Sequence, residues 1–363
     1  MARKFTVIAD DITGAAEIAG IGYSFGLKTI LMTEPDESIP DCDLLVFATD
    51  TRSMSRQEAI DETRRVVGYL KRNAMGQLFK KTDSALRGHI AAELQTILDE
   101  TVYDNVLLLP QNPSKGRIVC NGIYYIGDKP LQETPFAYDP EFPAHSSYVH
   151  EIVQSFSVTD AINFDQVTEA VNLAPENSLM VGGADLFTAC LLAAGFERKE
   201  SQFVGLNKQK TLIVCGSTQS SCIENLNYIR NNGIPTLLLS SSAFYEGILN
   251  TDWTEKAEMC YAHEKGLILT TAGYAPQEGK DFAVRLRNTM ARIVELLSQQ
   301  IHPNELIIEG GATAFTILRK LNWKSFCLTD EISPGVVRMK CMTLPDTYIT
   351  LKPGSYSWGN LFG

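Results

Sequence analysis

Three stretches in the first half of the sequence end an apolar run in side chains able to hold an anion or move a proton. Val7-Ile8-Ala9 runs into Asp10-Asp11 and then Ile12-Thr13-Gly14; Leu44–Ala48 runs into Thr49-Asp50-Thr51-Arg52-Ser53; Phe79-Lys80 runs into Lys81-Thr82-Asp83-Ser84, followed by Ala85-Leu86-Arg87-Gly88. In an open parallel sheet, ligands gather at the carboxyl ends of strands, so a site belongs there. Asp10, Asp11 or Thr13 is enough to cap the helix that opens at Thr13-Gly14. The second carboxylate is then left to accept hydrogen bonds from a hydroxylated ligand, or to take a hydroxyl proton. Lys81 and Arg87 supply charge for a carboxylate, Thr82 and Ser84 add donors, and Gly88 permits close approach. A solvated basic turn capped by Asp83 or Ser84 is the plainer alternative, but three such strand ends together are harder to dismiss than one.

The second half carries a different chemistry. Leu212–Cys215 leads to Gly216-Ser217-Thr218, Ile307-Ile308-Glu309 to Gly310-Gly311-Ala312-Thr313, and Leu351-Lys352 to Pro353-Gly354. Small residues at a strand end, opening a helix, can aim backbone N–H groups at a phosphate, and paired glycines suit a ligand passing close to the chain. Familiar phosphate loops are excluded by residue type. Gly273 to Lys280 has one residue too many between its glycines and Asp281 where a Walker A loop needs Ser or Thr, and Gly20-Ile21-Gly22 lacks the third glycine of a dinucleotide fingerprint.

The elements that must position these groups follow an alternating pattern. Apolar runs at Phe5–Ala9, Thr29–Met32, Leu44–Ala48, Gln77–Phe79, Val106–Leu109 and Leu179–Val181 are separated by stretches of helical periodicity at Ala15–Phe25, Gln57–Lys71 and Ile90–Leu98. A second series has strands at Thr211–Cys215, Thr236–Leu239, Leu267–Thr271, Leu306–Ile308, Val336–Thr343 and Thr347–Leu351, with helices at Gln219–Asn231, Lys280–Gln299 and Ala312–Leu321. The pattern predicts an α/β fold of two domains with mostly parallel sheets, residues 1–205 and 206–363, joined near Gly205-Leu206-Asn207-Lys208. From Pro110 to Tyr148 the chain is rich in Pro, Gly, Asn and aromatic residues. It is too long for a simple connection, and such loops often form a lid or a wall of a site.

Composition bounds the rest. At 363 residues and 44% hydrophobic content the chain has ample core for two domains. A net charge of −11 argues against wrapping a nucleic acid, so local basic clusters gain meaning, Lys80-Lys81 with Arg87 foremost. The 8 cysteines are scattered without a C-x-x-C pair, which predicts reduced thiols, and no apolar run is long enough for a bilayer. A cytoplasmic protein is expected.

These loops, in this order, resemble the four-carbon acid sugar kinase family. Ala9-Asp10-Asp11-Ile12-Thr13-Gly14 is similar to its opening A-D-D-x-T-G, and Lys81-Thr82-Asp83-Ser84-Ala85-Leu86-Arg87-Gly88 to its K-x-D-S-x-L-R-G. Gly116-Arg117, Gly122-Ile123-Tyr124, Glu133-Thr134 and Phe136-Ala137-Tyr138-Asp139-Pro140 fit within the odd loop. Gly216-Ser217, Gly310 to Ala314, Glu331 to Val336 and Lys352-Pro353-Gly354 fit in the second half. The resemblance implies an ATP- and Mg2+-dependent kinase acting on the terminal hydroxyl of threonate, erythronate or a 3-oxo-tetronate. The acid would bind the first domain and ATP the second, across a cleft between them. On matching positions it implies substrate contacts from Asp10, Asp11, Arg52, Lys81, Thr82, Asp83, Ser84 and Arg87. Asp11, Asp83 and Lys81 would be catalytic, with either Asp as base. Nucleotide contacts would come from Ser217, Thr271, Gly310, Gly311, Ala312, Thr313 and Gly354, and no metal ligand is singled out. Ala312 stands where the family carries an acid, so any role of that acid in positioning metal or water is lost or moved to Glu309. The partners implied are a sugar acid and ATP, with no nucleic acid and no membrane, and self-association left open. Two other readings remain: a catalytically silent sugar-acid sensor of the same fold, and a ribokinase-type sugar kinase, whose G-A-G-D-like motif is absent.

Overall fold

Short buried strands, each closed by a polar turn and followed by a helix, recur along the whole chain. The computed structural model describes residues 4–37, 39–73, 75–139, 142–200, 203, 205–206, 210–216, 234–249, 251–264, 266–271, 274, 280–344, 346–354 and 361. It divides into two compact units, Met1–Lys199 and Glu200–Gly363.

In the first unit the order is β1 (Phe5–Ala9), α1 (Ile12–Ser24), β2 (Thr29–Met32), β3 (Leu44–Ala48), α2 (Arg56–Arg72), β4 (Gln77–Lys81), α3 (Ile90–Glu100) and β5 (Asn105–Leu109). There follow β6 (Arg117–Cys120), β7 (Ile123–Ile126), β8 (Lys129–Pro130), α4 (Val149–Val153), α5 (Phe164–Leu173), β9 (Ser178–Gly182) and α6 (Ala184–Ala193). The main sheet runs β2-β3-β1-β4-β9-β5 with every pairing parallel. All residues of β1, β2, β3 and β9 are buried, as expected of a parallel sheet covered on both faces. Register places Ala9 opposite both Ala48 and Lys81, and Gly182 opposite both Lys81 and Leu109. The carboxyl ends of β3, β1, β4, β9 and β5 are therefore level, and the loops leaving them converge.

Strand β4 continues two residues beyond the expected stop at Phe79, taking in Lys80 and Lys81. Side chains alternate along a strand. Lys80 accordingly meets Glu93 on α3, while Lys81 meets Glu17 on α1. Buried lysines are tolerated in a strand when each face supplies a carboxylate. The long loop is not structureless: β6, β7 and β8 form a separate antiparallel sheet.

The second unit contains β10 (Thr211–Cys215), β11 (Thr236–Leu238), α7 (Ser241–Glu246), α8 (Thr251–Glu264), β12 (Gly266–Thr270), α9 (Lys280–Ile301), β13 (Glu305–Glu309) and α10 (Gly311–Lys320). It closes with β14 (Ser325–Ser333), β15 (Val336–Cys341) and β16 (Tyr348–Lys352). Its strands run β11-β12-β10-β13-β16-β15-β14, parallel from β11 through β16, with β15 and β14 antiparallel. Glu309 lies opposite Cys215 and Lys352, so the ends of β10, β13 and β16 are also level. Ser217 and the helix expected at 219–231 lie outside the described residues. Among the described residues no helix is long and apolar enough to cross a membrane, and the described cysteines are free thiols.

Candidate active site

The carboxylates after β1 have separate duties. Asp11 is the N-cap of α1, its Oδ1 accepting from the Gly14 N–H at 2.8 Å. Asp10 is buried, and among the described residues no hydrogen bond reaches either of its carboxylate oxygens. Its counter-charge is Arg52, whose Nε lies 3.5 Å from Oδ2. The same guanidinium pairs with Asp11, and its Nη1 donates to Asp83 Oδ1 at 2.9 Å. One cation after β3 thus ties together acids from the ends of β1 and β4. Arg52 sits in a short 3₁₀ turn, Thr51–Ser53, entered through Asp50 at a φ of +56°. Thr49 Oγ1 donates to Ala9 O at 2.9 Å, fastening that turn to β1. At Gly88, whose φ is +93°, a Cβ would come within 3.4 Å of Arg52 Cγ, so the loop after β4 backs closely onto the arginine.

Asp83 is saturated with donors. Beyond Arg52 it accepts from Arg87 Nε at 2.8 Å and Arg87 Nη2 at 2.9 Å, and from the backbone N–H groups of Ala85 at 3.1 Å and Arg87 at 3.2 Å. Burial alone would raise its pKa, but Arg52, then Arg87 and Lys81, hold the carboxyl far below the usual carboxylate range. Such a group anchors its neighbours well and accepts a proton poorly.

Lys81 is buried, donating to Thr82 O at 2.9 Å with Glu17 Oε2 3.5 Å away. Glu17 also binds Lys115, from the turn before β6. Burial pushes the Glu17 carboxyl up, yet Lys81 and Lys115 together bring it below its ordinary value. Gly14 leaves room for this packing, since a Cβ there would lie 3.3 Å from Lys81 Cγ. On the opposite face Lys80 Nζ lies 2.5 Å from Glu93, whose carboxyl is pushed up by burial against the pull of Lys80.

The small antiparallel sheet packs against the loop after β4. Arg117 donates to Ser84 Oγ, and the fully buried Tyr124 hydroxyl donates to Ser84 O. Arg87 Nη1 donates to Asp139 Oδ2 at 3.0 Å. Phe136 lies under both guanidiniums, 5.2 Å from Arg87 and 5.7 Å from Arg117. The turn leading into β6 is fixed in turn by Asp185, which accepts from Ser114 N at 2.8 Å and Ser114 Oγ at 2.6 Å.

The second unit offers a different surface. Gly310, at a φ of +99°, is the N-cap of α10 and makes no side-chain cap, so the first N–H groups of that helix can receive an anion. Gly310 N donates to Lys352 O at 2.9 Å. Gly216 abuts the same helix, for a Cβ there would fall 2.6 Å from Thr313 Oγ1. Ala312 is exposed, while Thr271, next to the end of β12, is fully buried and its Oγ1 finds no partner among the described residues. Glu309 is buried against Lys352 at 2.6 Å, and Lys352 Nζ also lies 3.4 Å from Gly354 O. Glu309, expected as one stand-in for the acid missing at Ala312, is thus fully buried and ion-paired to Lys352. Among the described residues no cluster of three or more His, Cys, Asp or Glu could hold a metal.

Asp10, Asp11, Arg52, Asp83 and Arg87 are joined through the ion pairs above, Ser84 is held by Arg117 and Tyr124, Lys81 pairs instead with Glu17, and Gly310 adjoins Gly354 through Lys352. Sequence reasoning missed Glu17, Lys115 and Glu93. Glu17 had a visible signal, being the sole charged residue of an otherwise apolar helix, Ile12–Ser24. Lys115 had none, since its partner lies 98 positions away.

A model described as "Sugar-binding N-terminal domain" matches residues 5–247, and one described as "Nucleotide-binding C-terminal domain" matches residues 212–356. A D-threonate kinase of Bordetella bronchiseptica is 30% identical, covering 91% of this chain and 88% of that protein. A 3-oxo-tetronate kinase of Haemophilus influenzae is 25% identical, covering 98% of this chain and 97% of its own. A D-erythronate kinase of Heliobacterium modesticaldum is 31% identical over 42% of this chain and 36% of its own. Crystal structures of a Salmonella typhimurium protein (20% identity, 99% of this chain, 97% of that chain, TM-score 0.80) and a Haemophilus influenzae protein (22%, 99%, 98%, 0.76) share the fold.

Proposed function

The chain belongs to the four-carbon acid sugar kinase family, and from that premise we propose that it transfers the γ-phosphoryl group of ATP to the terminal hydroxyl of a four-carbon sugar acid. Threonate, erythronate and 3-oxo-tetronates are the substrate candidates, since they are the acids named for its relatives. The observation that carries the reading is the Arg52 hub, which holds Asp10, Asp11 and Asp83 at one level of the first unit's sheet. Carboxylates fixed in this way, beside Thr82 and Ser84, match a polyhydroxylated ligand.

Asp11 is assigned the hydroxyl of the acceptor. Its side chain is 20% exposed, against 5% for Asp10 and 9% for Asp83, so it is the one of the three most open to a ligand. It orients that hydroxyl and takes its proton as the O–P bond forms. Asp83 positions Arg52 and Arg87 rather than acting as base. Lys81 supplies positive charge to the transferring group. In the second unit, Gly310 to Thr313 with Gly354 and Thr271 cradle the nucleotide, the unfilled N-terminus of α10 facing its phosphates. Mg2+ commonly binds through substrate phosphates plus one or two carboxylates, which suits a chain without a dedicated metal cage among its described residues. When bound, it neutralises phosphate charge.

A coupled ADP-release screen against the threonates, erythronates and 3-oxo-tetronates tests the proposal. One acid should stimulate ADP release, and Lys81→Ala and Asp83→Ala should lose that stimulation. Wild-type turnover in either variant would remove the β4 loop from the mechanism.

A further inference from the structure

The carboxylate of the sugar acid still lacks a partner, and the charges around the site single one out. Arg52 is opposed by Asp10, Asp11 and Asp83, and Arg87 by Asp83 and Asp139. Lys81 and Lys115 share Glu17. Arg117 differs from all of these. Among the described residues no carboxylate pairs with it. Its Nη1 donates to Ser84 Oγ, a neutral acceptor, and its guanidinium lies 5.7 Å from the Phe136 ring. A guanidinium carries five N–H donors in a planar fork suited to a carboxylate, so the Ser84 bond leaves most of that capacity.

The turn that carries Arg117 is built to hold still. The N–H groups of Lys115 and Arg117 both donate to Asn112 O, at 2.9 and 3.1 Å. Asn112 Oδ1 accepts from Asp185 N at 3.0 Å, and Asp185 grips Ser114. Gly183 permits this contact, because a Cβ there would lie 2.4 Å from Asn112 Oδ1. Ordering a charged side chain before the ligand arrives lowers the entropic cost of binding. Lys115, exposed on the same turn and sharing Glu17 with Lys81, adds positive potential.

We propose that Arg117, supported by Lys115, anchors the carboxylate of the sugar acid, an assignment that rests on the kinase reading above. Lys81 and Arg87, the residues the sequence suggested for that task, are occupied by Glu17, Asp83 and Asp139. The wall sheet would then select acids over neutral polyols, while the strand-end loops hold the hydroxyls.

Calorimetric titration of threonate and erythronate into wild type, Arg117→Gln and Arg117→Lys tests this, with ATP as a second titrant and thermal denaturation as a fold check. Arg117→Gln should weaken the acid by about 30-fold or more. It should leave ATP affinity and the melting temperature close to wild type, and Arg117→Lys should recover part of the loss. In wild type, threitol and erythritol should bind much more weakly than the acids, and that difference should collapse in Arg117→Gln. If the wild type binds an acid and Arg117→Gln binds it within about 3-fold, the anchor lies elsewhere. Acid, polyol and ATP weakened together with a lowered melting temperature would make Arg117 a structural fastener and overturn the proposal. A wild type that binds neither acid defeats the underlying kinase reading, and this one with it.

Discussion

Arg52 Nη1 stands 2.9 Å from Asp83 Oδ1, joining the loop after β3 to the loop after β4 across the intervening strand β1. The pair is largely buried, with side-chain exposures of 12% and 9%. Removing one member of such a pair leaves the other charge unsolvated and uncompensated. Here Asp10 would lose its counter-charge, while Asp11 would keep the Gly14 N–H and Asp83 its bonds to Arg87.

Arg52→Met should therefore lower unfolding free energy by about 3–5 kcal/mol, measured by urea denaturation, and depress kcat/KM for the acid by at least about 100-fold. A loss of activity without loss of stability would mean that Arg52 touches the ligand but does not hold the site.

Asp83 makes stability depend on pH in a defined direction. Its folded pKa lies well below the unfolded value of 3.8. The stabilisation is thus fully present above that value and is lost as pH falls toward the folded pKa. Asp83→Asn should be less stable than wild type by a constant amount above pH about 5, and the gap should narrow below pH about 4 by up to about 1.4 kcal/mol per pH unit. Denaturation midpoints across pH 3 to 7 check this, and a gap that widens on acidification contradicts it.

Gly310→Ala separates backbone strain from crowding. The nearest side-chain atom to an added Cβ is 3.7 Å away, so space is adequate, but the φ of +99° is one that alanine rarely adopts. A cost of about 1–3 kcal/mol is expected, with KM for ATP raised and KM for the acid unchanged. A rise in the acid's KM alone would move this loop out of the nucleotide site.

Tyr124→Phe removes the hydroxyl that donates to Ser84 O from the wall sheet. About 1 kcal/mol of stability should go, with a several-fold rise in KM for the acid and none for ATP. Equal rises for both ligands would place Tyr124 in general folding rather than in shaping one site.

Much of this was legible from sequence because strand burial and helix periodicity are local signals. The runs Phe5–Ala9, Thr29–Met32 and Leu44–Ala48 form β1, β2 and β3 with the expected bounds. The strand ends also carried the charged residues that come together. What stayed hidden is non-local. Lys80 and Lys81 look like loop residues until Glu93 and Glu17 are seen opposite them. The wall sheet has short strands, two to four residues each, too brief for a period-two pattern to register. Strand β14 was missed because its second half, Thr329 to Ser333, is only half-buried and polar apart from Ile332. The division of labour among the acids could not be read either, since Asp10, Asp11 and Asp83 differ in their partners and not in their chemistry.

The most direct test is a proton-coupled phosphorus-31 spectrum of the product formed from ATP and whichever four-carbon acid drives ADP release. Phosphate on the terminal carbon is coupled to two protons, so a phosphomonoester triplet should grow in step with ADP. A doublet, an acyl phosphate, or inorganic phosphate alone would contradict transfer to the terminal hydroxyl.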